Sequence, residues 1–395
     1  MILNPTKKEL EYRISKLFEA LNAAENQFDT AIIISKVNQY YFTGTMQDGI
    51  LIVKKDGTTA FFVRKSFERA KLECPLDIVH KMSTYKDMLN VIPSALGSTY
   101  IETEIVPIAM IERLKKYFSM DKISPLDRII LSLRAVKSEY ELEIITESGK
   151  QHQYLLETIV PEILQVGMSE TDFLTELYNR MVKLGHHGVS RFSMFQMELI
   201  VGQVGFGESS IYPTNFDGPG GMLGMSPAVP IIGNRKRYLK KGDIVFVDVG
   251  YGVLGYHSDK TQVYSFGIKP DQDVEKIHND CKDLIIKTAN LLKVNAIPSE
   301  IYNEITSNLP ISLSENFMGY GESVKFLGHG VGLHIDEMPV ISGGFKVPLK
   351  ENMVIALEPK CGLAGVGTVG VEETYVVKET GVVCLTGGPR EIMVV

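Results

Sequence analysis

Cysteine is scarce in this chain of 395 residues: the four present (Cys74, Cys281, Cys361, Cys384) form no C-x-x-C pair and no dense framework. A disulfide-stapled mini-protein is excluded, and reduced thiols of a cytoplasmic protein are expected. Long apolar runs are missing too. Nowhere do about 18 apolar residues follow one another, so no membrane span is expected. The opening segment, MILNPTKKELEYRISKLFEAL, is charged and amphipathic from the outset and lacks the apolar stretch of a signal peptide. Nor is there an excess of positive charge. Lys and Arg number 41 against 48 Asp and Glu, a formal net charge of −7, so no global field draws the chain to nucleic acid or anionic lipid. Neither is expected as a partner. Low-complexity tracts and short-period repeats are absent. What remains is ordinary globular material, 44% hydrophobic and 23% charged. Its length exceeds the usual reach of one hydrophobic core, so two domains are expected.

Residues 6–25 read as a helix, followed by the apolar run Asp29–Ser35. Two strand patterns flank an Asp56-Gly57 turn within Gly49–Val63, a strong hairpin signal. A helix near Ile108–Phe118 completes an α/β unit over 1–127, and 128–137 reads as a linker. Ser138 with Glu141 then forms a capping box. Leu142, Ile145, Gly149, His152, Leu156, Ile159 and Ile163 follow at helical spacing, interrupted near Pro161. A second cap, Ser169 with Asp172, opens a helix through about Leu184. Strand-like, glycine-rich sequence fills 189–267, helical patterns return at 271–293 and 299–308, and 320–395 is strand and loop. Two helices then strands, twice over, predicts a C-terminal domain over 138–395 built from two related halves. The fold class is α/β in the broad sense, α+β by arrangement.

The chemistry lies in four stretches of the second domain. In GDIVFVDVGYGVLGYHSDKT (242–261) an apolar strand delivers Asp248, and Asp259 arrives beyond a glycine-rich bend. If the bend closes a hairpin, the two carboxylates meet across neighbouring strands. Their repulsion then calls for a cation or a shared proton; taken alone, such a pair can equally be a surface feature. GHGVGLHIDEMP (328–339) surrounds His329 with glycines, compatible with close backbone approach or a plain turn. ENMVIALEP ends an apolar strand at Glu358, and VGVEETYVV embeds Glu372 in a strand, where an unpaired charge is costly. Together Asp248, Asp259, His329, Glu358 and Glu372 supply four negative charges and an imidazole. Two divalent cations would neutralise that set. Oxygen-rich ligation suits Mn²⁺, with Co²⁺, Zn²⁺ or Fe²⁺ also feasible. Such a pair can activate a bridging water and polarise a carbonyl.

VDVGYGVLGYHSDKT, GHGVGL, ALEP and GVEETYVV resemble the metal-site motifs of the methionine aminopeptidase/creatinase superfamily, within it the Xaa-Pro aminopeptidase/prolidase-like metallopeptidases, of which this chain looks like a divergent member. The resemblance implies a C-terminal pita-bread domain. It implies that Asp259 and Glu372 bridge two metals, that Asp248 completes one ion, and that His329 and Glu358 complete the other. AIIISKVNQYYFTG and the Asp-Gly hairpin resemble the N-terminal domain of creatinase and prolidase. The implied activity is an Xaa-Pro aminopeptidase or dipeptidase acting on short peptides through a metal-bridging hydroxide, with Glu358 managing the proton. The alternative is a family member with lost or altered peptidase activity, either a binding protein or a creatinase-like C–N hydrolase. A homodimer is implied as well.

Two departures from the family pattern stand out. The Pro-His pair upstream of the first Asp is here Pro230-Ile231, and the histidine following the ligand histidine is replaced by Asp336. One missing donor of the oxyanion kind costs about 10²–10³ in rate. If 332–336 runs extended, His334 and Asp336 share a face. His334 then serves as a substitute proton carrier or as a packed strand histidine, and Asp336 as a binder of a substrate amino group. Gly250-x-Gly252-x-x-Gly255 spells a dinucleotide fingerprint, but no helix pattern follows it. The pair His186-His187 reads as a surface feature at a helix end. The run from Arg235 to Lys241 reads as a solvated basic turn. No G-x-S-x-G elbow is present.

Overall fold

The computed structural model describes residues 4–24, 27–194, 197 and 199–395, and the chain divides into two compact units after Arg134. In the first unit, Thr6 caps the helix Lys7–Asn22, accepting from the Glu9 amide. Position 25, where the helix was expected to end, lies outside the described residues. A six-stranded sheet follows, in spatial order Val79–Lys81, Thr59–Lys65, Asp48–Lys54, Thr30–Ile33, Ser98–Ile101, Lys122–Pro125. The Asp56-Gly57 hairpin is present. Asp56 accepts from the Thr58 amide and Gly57 takes the left-handed φ of 90° that the turn needs. Alternation along the central strands puts Ile32, Ile50, Ile52 and Phe62 into one core. The stretch read as a linker carries the helix Asp127–Ala135.

In the second unit both expected capping boxes form, at Ser138 with Glu141 and at Ser169 with Asp172. The helix Glu139–Tyr154 passes through a π turn, Leu155–Ile159, before Val160–Ile163, so the predicted break at Pro161 is a local widening of the helix. With Glu170–Lys183 it packs on a sheet ordered Met393–Val394, Tyr256–Ser265, Ile244–Val253, Gly202–Phe206. The motif then recurs. Helices Gln272–Leu291 and Pro298–Thr306 precede a five-stranded sheet ordered Glu337–Ser342, Phe326–Gly330, Val354–Leu357, Glu373–Lys378, Gly381–Cys384. Each half has its own apolar core. The two sheets touch through a bridge between Thr261 and Glu372. The metal-site candidates gather at that seam.

Candidate metal centre

The hairpin Ile244–Val253/Tyr256–Ser265 turns at Leu254 and Gly255, both at positive φ, the pattern of a two-residue type I′ turn. Its register pairs Asp248 with Thr261 and Gly250 with Asp259. The two acids are therefore diagonal neighbours on one face, since side chains alternate along a strand. Gly250, Gly252 and Gly255 lie in this hairpin, and the strand Tyr256–Ser265, not a helix, comes directly after them. The fingerprint is structural here, not nucleotide-binding.

His329 enters from Phe326–Gly330, opposite Ala356, and Glu358 follows the adjoining strand, its amide donating to Leu327 O. The glycines flanking His329 are required by close packing. A Cβ at Gly328 would lie 2.1 Å from Ala356 O, and one at Gly330 2.2 Å from Met338 O. Imidazole Nε2 stands 3.3 Å from Glu358 Oε1 and 4.0 Å from Asp259 Oδ2. Two ligand sets result, Asp259–His329–Glu372 and Asp248–Glu358–Glu372, the candidate atoms within each lying within 4.8 Å of one another. All five residues expected as ligands are thus brought together.

A sixth residue, missed by sequence reasoning, sits among them. Lys360 is fully buried, and its Nζ donates to Asp248 Oδ2 at 2.8 Å, Glu358 Oε2 at 2.9 Å and Glu372 Oε2 at 2.9 Å. Thr261 Oγ1 lies 2.9 Å from Asp248 Oδ1 and 2.8 Å from Glu372 Oε2. The signal was available. Lys360 lies two residues after Glu358, so in extended chain both point the same way.

The electrostatics follow from burial and crowding. Burial, then the Asp248 charge, pushes Asp259 up to about 8. Burial and Asp259 push Glu372 well above the carboxylate range. Glu358 is held low: burial opposes this, but Lys360 and His329 outweigh it. Burial likewise works against charge on His329, yet the hydrogen bond to Glu358 and its charge raise the imidazole to about 9. For Lys360 the three carboxylates overcome burial and keep the ammonium charged. The acids compete for too little positive charge.

That competition decides which cations fit. Glu372 Oε2 is taken up by Lys360 and Thr261, while its buried Oε1 has no hydrogen-bond partner. An orphaned buried carboxylate oxygen beside Asp259 and His329 suits a metal ligand. One divalent ion fits the Asp259–His329–Glu372 set. In the Asp248–Glu358–Glu372 set the Lys360 ammonium already bonds all three carboxylates.

His334 and Asp336 belong to neither set. Residues 332–336 form bends rather than a strand, so the shared face expected of them does not arise. The His334 amide donates to Glu337 Oε1, and both Asp336 oxygens accept from Ser193, from its amide at 2.7 Å and its hydroxyl at 2.8 Å. Asp336 thereby anchors a loop. The His186-His187 pair also departs from expectation. His186 is buried and accepts the Gly252 amide at 2.9 Å, while His187 accepts the Gly255 amide at 3.1 Å and faces His257, Nε2 to Nε2, at 3.2 Å. The missing side chain at Gly252 leaves room for the His187 ring, 2.1 Å from where a Cβ would stand. The pair clamps the hairpin that carries Asp248 and Asp259. In the basic run, Arg237 pairs with Asp243 at 2.7 Å, while Arg235, Lys236, Lys240 and Lys241 are exposed.

One further polar group borders the site. Gln203 opposes Asp248 in register, is buried, and neither atom of its amide has a hydrogen-bond partner among the described residues.

Similarity to known proteins agrees with this geometry. Residues 13–136 match the creatinase/prolidase N-terminal domain, and residues 143–379 match metallopeptidase family M24. An Xaa-Pro dipeptidase of Pyrococcus furiosus is 26% identical over 387 residues, covering 97% of this chain and all of the relative. An uncharacterized peptidase of Staphylococcus aureus is 27% identical over 382 residues, covering 95% of this chain and 98% of the relative. Among solved structures, an Xaa-Pro dipeptidase from Bacillus anthracis aligns with a TM-score of 0.79 at 19% identity, over 98% of this chain and 100% of that one. The prolidase of Pyrococcus horikoshii aligns with 0.78 at 23%, over 97% and 100%. The chain belongs to metallopeptidase family M24, carries a creatinase/prolidase N-terminal domain before a pita-bread domain, and is a peptidase-type hydrolase.

Proposed function

We propose that the chain is a metal-dependent peptidase that removes an N-terminal residue from short peptides, of the Xaa-Pro dipeptidase or aminopeptidase type. The observation that carries this reading is the convergence of Asp248, Asp259, His329, Glu358 and Glu372 at the seam between two sheets. A divalent ion held by Asp259, His329 and Glu372 would supply Lewis acidity to a scissile carbonyl and lower the pKa of a water. The oxygen-rich ligands favour a hard ion such as Mn²⁺. Glu358, kept ionised between His329 and Lys360, is the carboxylate to which the family resemblance assigns proton transfer during turnover. Gln203, with a free amide beside Asp248, is suited to position the peptide where the family's two histidines are replaced by Ile231 and Asp336. The bridging-hydroxide version needs a second ion and is set aside.

The test is turnover of a dipeptide and tripeptide panel, half with proline second, in Mn²⁺, Co²⁺ or Zn²⁺. Cleavage concentrated in the proline-bearing half, and dependent on metal, is the expected result. Absence of cleavage across all peptides and metals would contradict the reading and favour a chain that keeps the fold without turnover.

A further inference from the structure

The geometry points to Lys360 as a resident cation: we propose that its ammonium holds one of the two positive positions of this site, so that the chain binds one divalent ion. The inference rests on the peptidase reading only in taking the acidic cluster to be a metal site, and it specifies what that site holds.

An ammonium has three N–H donors and no acceptor. Each donor of Lys360 is matched by a different carboxylate, those of Asp248, Glu358 and Glu372, at 2.8–2.9 Å. These are the same three residues that form one of the two ligand sets. A divalent ion bound by them would meet a fixed positive charge in a water-poor interior, where like charges repel strongly.

Lys360 is not free to withdraw. Its strand, Lys360–Leu363, pairs in register with Gly367–Gly370, and its carbonyl accepts the Met318 amide at 2.8 Å. The Phe246 ring lies 5.8 Å from Nζ. Gly370, opposite Lys360, lets the two strands approach closely: a Cβ there would stand 2.4 Å from Pro359 O and 2.6 Å from Lys360 Cα, so the backbone that carries the lysine is tightly packed. The other ligand set is left open to an ion, with Glu372 Oε1 buried and unpaired.

The test counts metal on the intact protein, stripped with chelator and then dialysed against excess Mn²⁺. Elemental analysis is expected to give one Mn²⁺ per chain for the wild type. Its electron paramagnetic resonance spectrum should show isolated Mn²⁺ without the signature of a coupled pair. Lys360→Gly, verified as folded by circular dichroism, should bind two. Two ions or none in the wild type, or a coupled Mn²⁺ pair, would overturn the proposal, as would a folded Lys360→Gly that still binds one. Should that variant fail to fold, the wild-type count and spectrum decide alone. One bound ion without peptide cleavage would sink the peptidase reading and leave this inference standing.

Discussion

At the residue scale, two side chains separate metal binding from substrate handling. Asp259 belongs to the ligand set left open to an ion and lies 4.0 Å from His329, so Asp259→Asn removes an anionic ligand with little change in shape. Loss of both metal content and turnover, the latter at least about 100-fold, is the expected outcome, read by elemental analysis and peptide kinetics. Unchanged activity would contradict the assignment. Gln203 stands outside the ligand sets, though directly opposite Asp248. A hydrogen bond of ordinary strength to the peptide is worth about tenfold in binding. Gln203→Ala should therefore raise KM about tenfold, leaving kcat and Mn²⁺ content close to those of the wild type. A fall in metal content instead would make Gln203 part of the scaffold of Asp248.

At the element scale, a buried histidine ties the helix Gln272–Leu291 to two distant segments. His278 Nε2 donates to Arg390 O at 2.6 Å and Nδ1 accepts the Gly370 amide at 3.3 Å, so the neutral ring is the form the fold requires. Burial pulls its pKa from 6.5 down to about 4, with Arg390 O opposing, Lys282 assisting and Glu391 opposing. Between those two values the unfolded chain takes up a proton that the folded chain refuses. The stabilisation is complete above pH 6.5 and is lost as pH falls towards 4, on the order of 3 kcal/mol for this group. His278→Gln keeps a donor and an acceptor but cannot ionise. Denaturant melts should show a shallower loss of stability from pH 6.5 to 4 in this variant; an unaltered slope would contradict the account.

Elements were legible where their causes are local. The capping boxes at Ser138 and Ser169 and the Asp56-Gly57 turn depend on neighbours within a few residues, and all form as read. The clustering of Asp248, Asp259, His329, Glu358 and Glu372 was legible because five residues of three types follow in the order of the family motifs they resemble. Features that depend on distant chain were not. His187 fills the space left by Gly252 across the fold, and a histidine pair after a helix gives no local hint of that. His334 and Asp336 were misplaced because alternation was assumed where the backbone bends and Ser193 and Glu337 hold it. Lys360 was passed over because lysine is ordinarily exposed. Its place becomes evident only once three acids around it are seen to need a counter-charge.

At the scale of the whole molecule, the second unit is two helix-helix-sheet halves whose seam would be electrostatically unfavourable without cations. Asp259, raised by burial and the Asp248 charge, and Glu372, raised by burial and the Asp259 charge, record that cost. A ligand that binds the folded chain alone stabilises it by mass action, about 2.7 kcal/mol at a hundredfold excess over Kd. Saturating Mn²⁺ should raise the melting temperature by about 5 °C or more, and Asp259→Asn should abolish most of that shift. An equal shift in the variant would place the bound ion elsewhere. Among the described residues no helix is long and apolar enough to cross a membrane.

The most direct measurement is hydrolysis of an Xaa-Pro dipeptide by chelator-stripped protein as Mn²⁺ is added back in known ratio. Activity should be absent at the start, climb in proportion to added metal and level off at one equivalent per chain. Hydrolysis that survives complete stripping, or that never returns on adding metal, would contradict a catalytic ion at Asp259, His329 and Glu372.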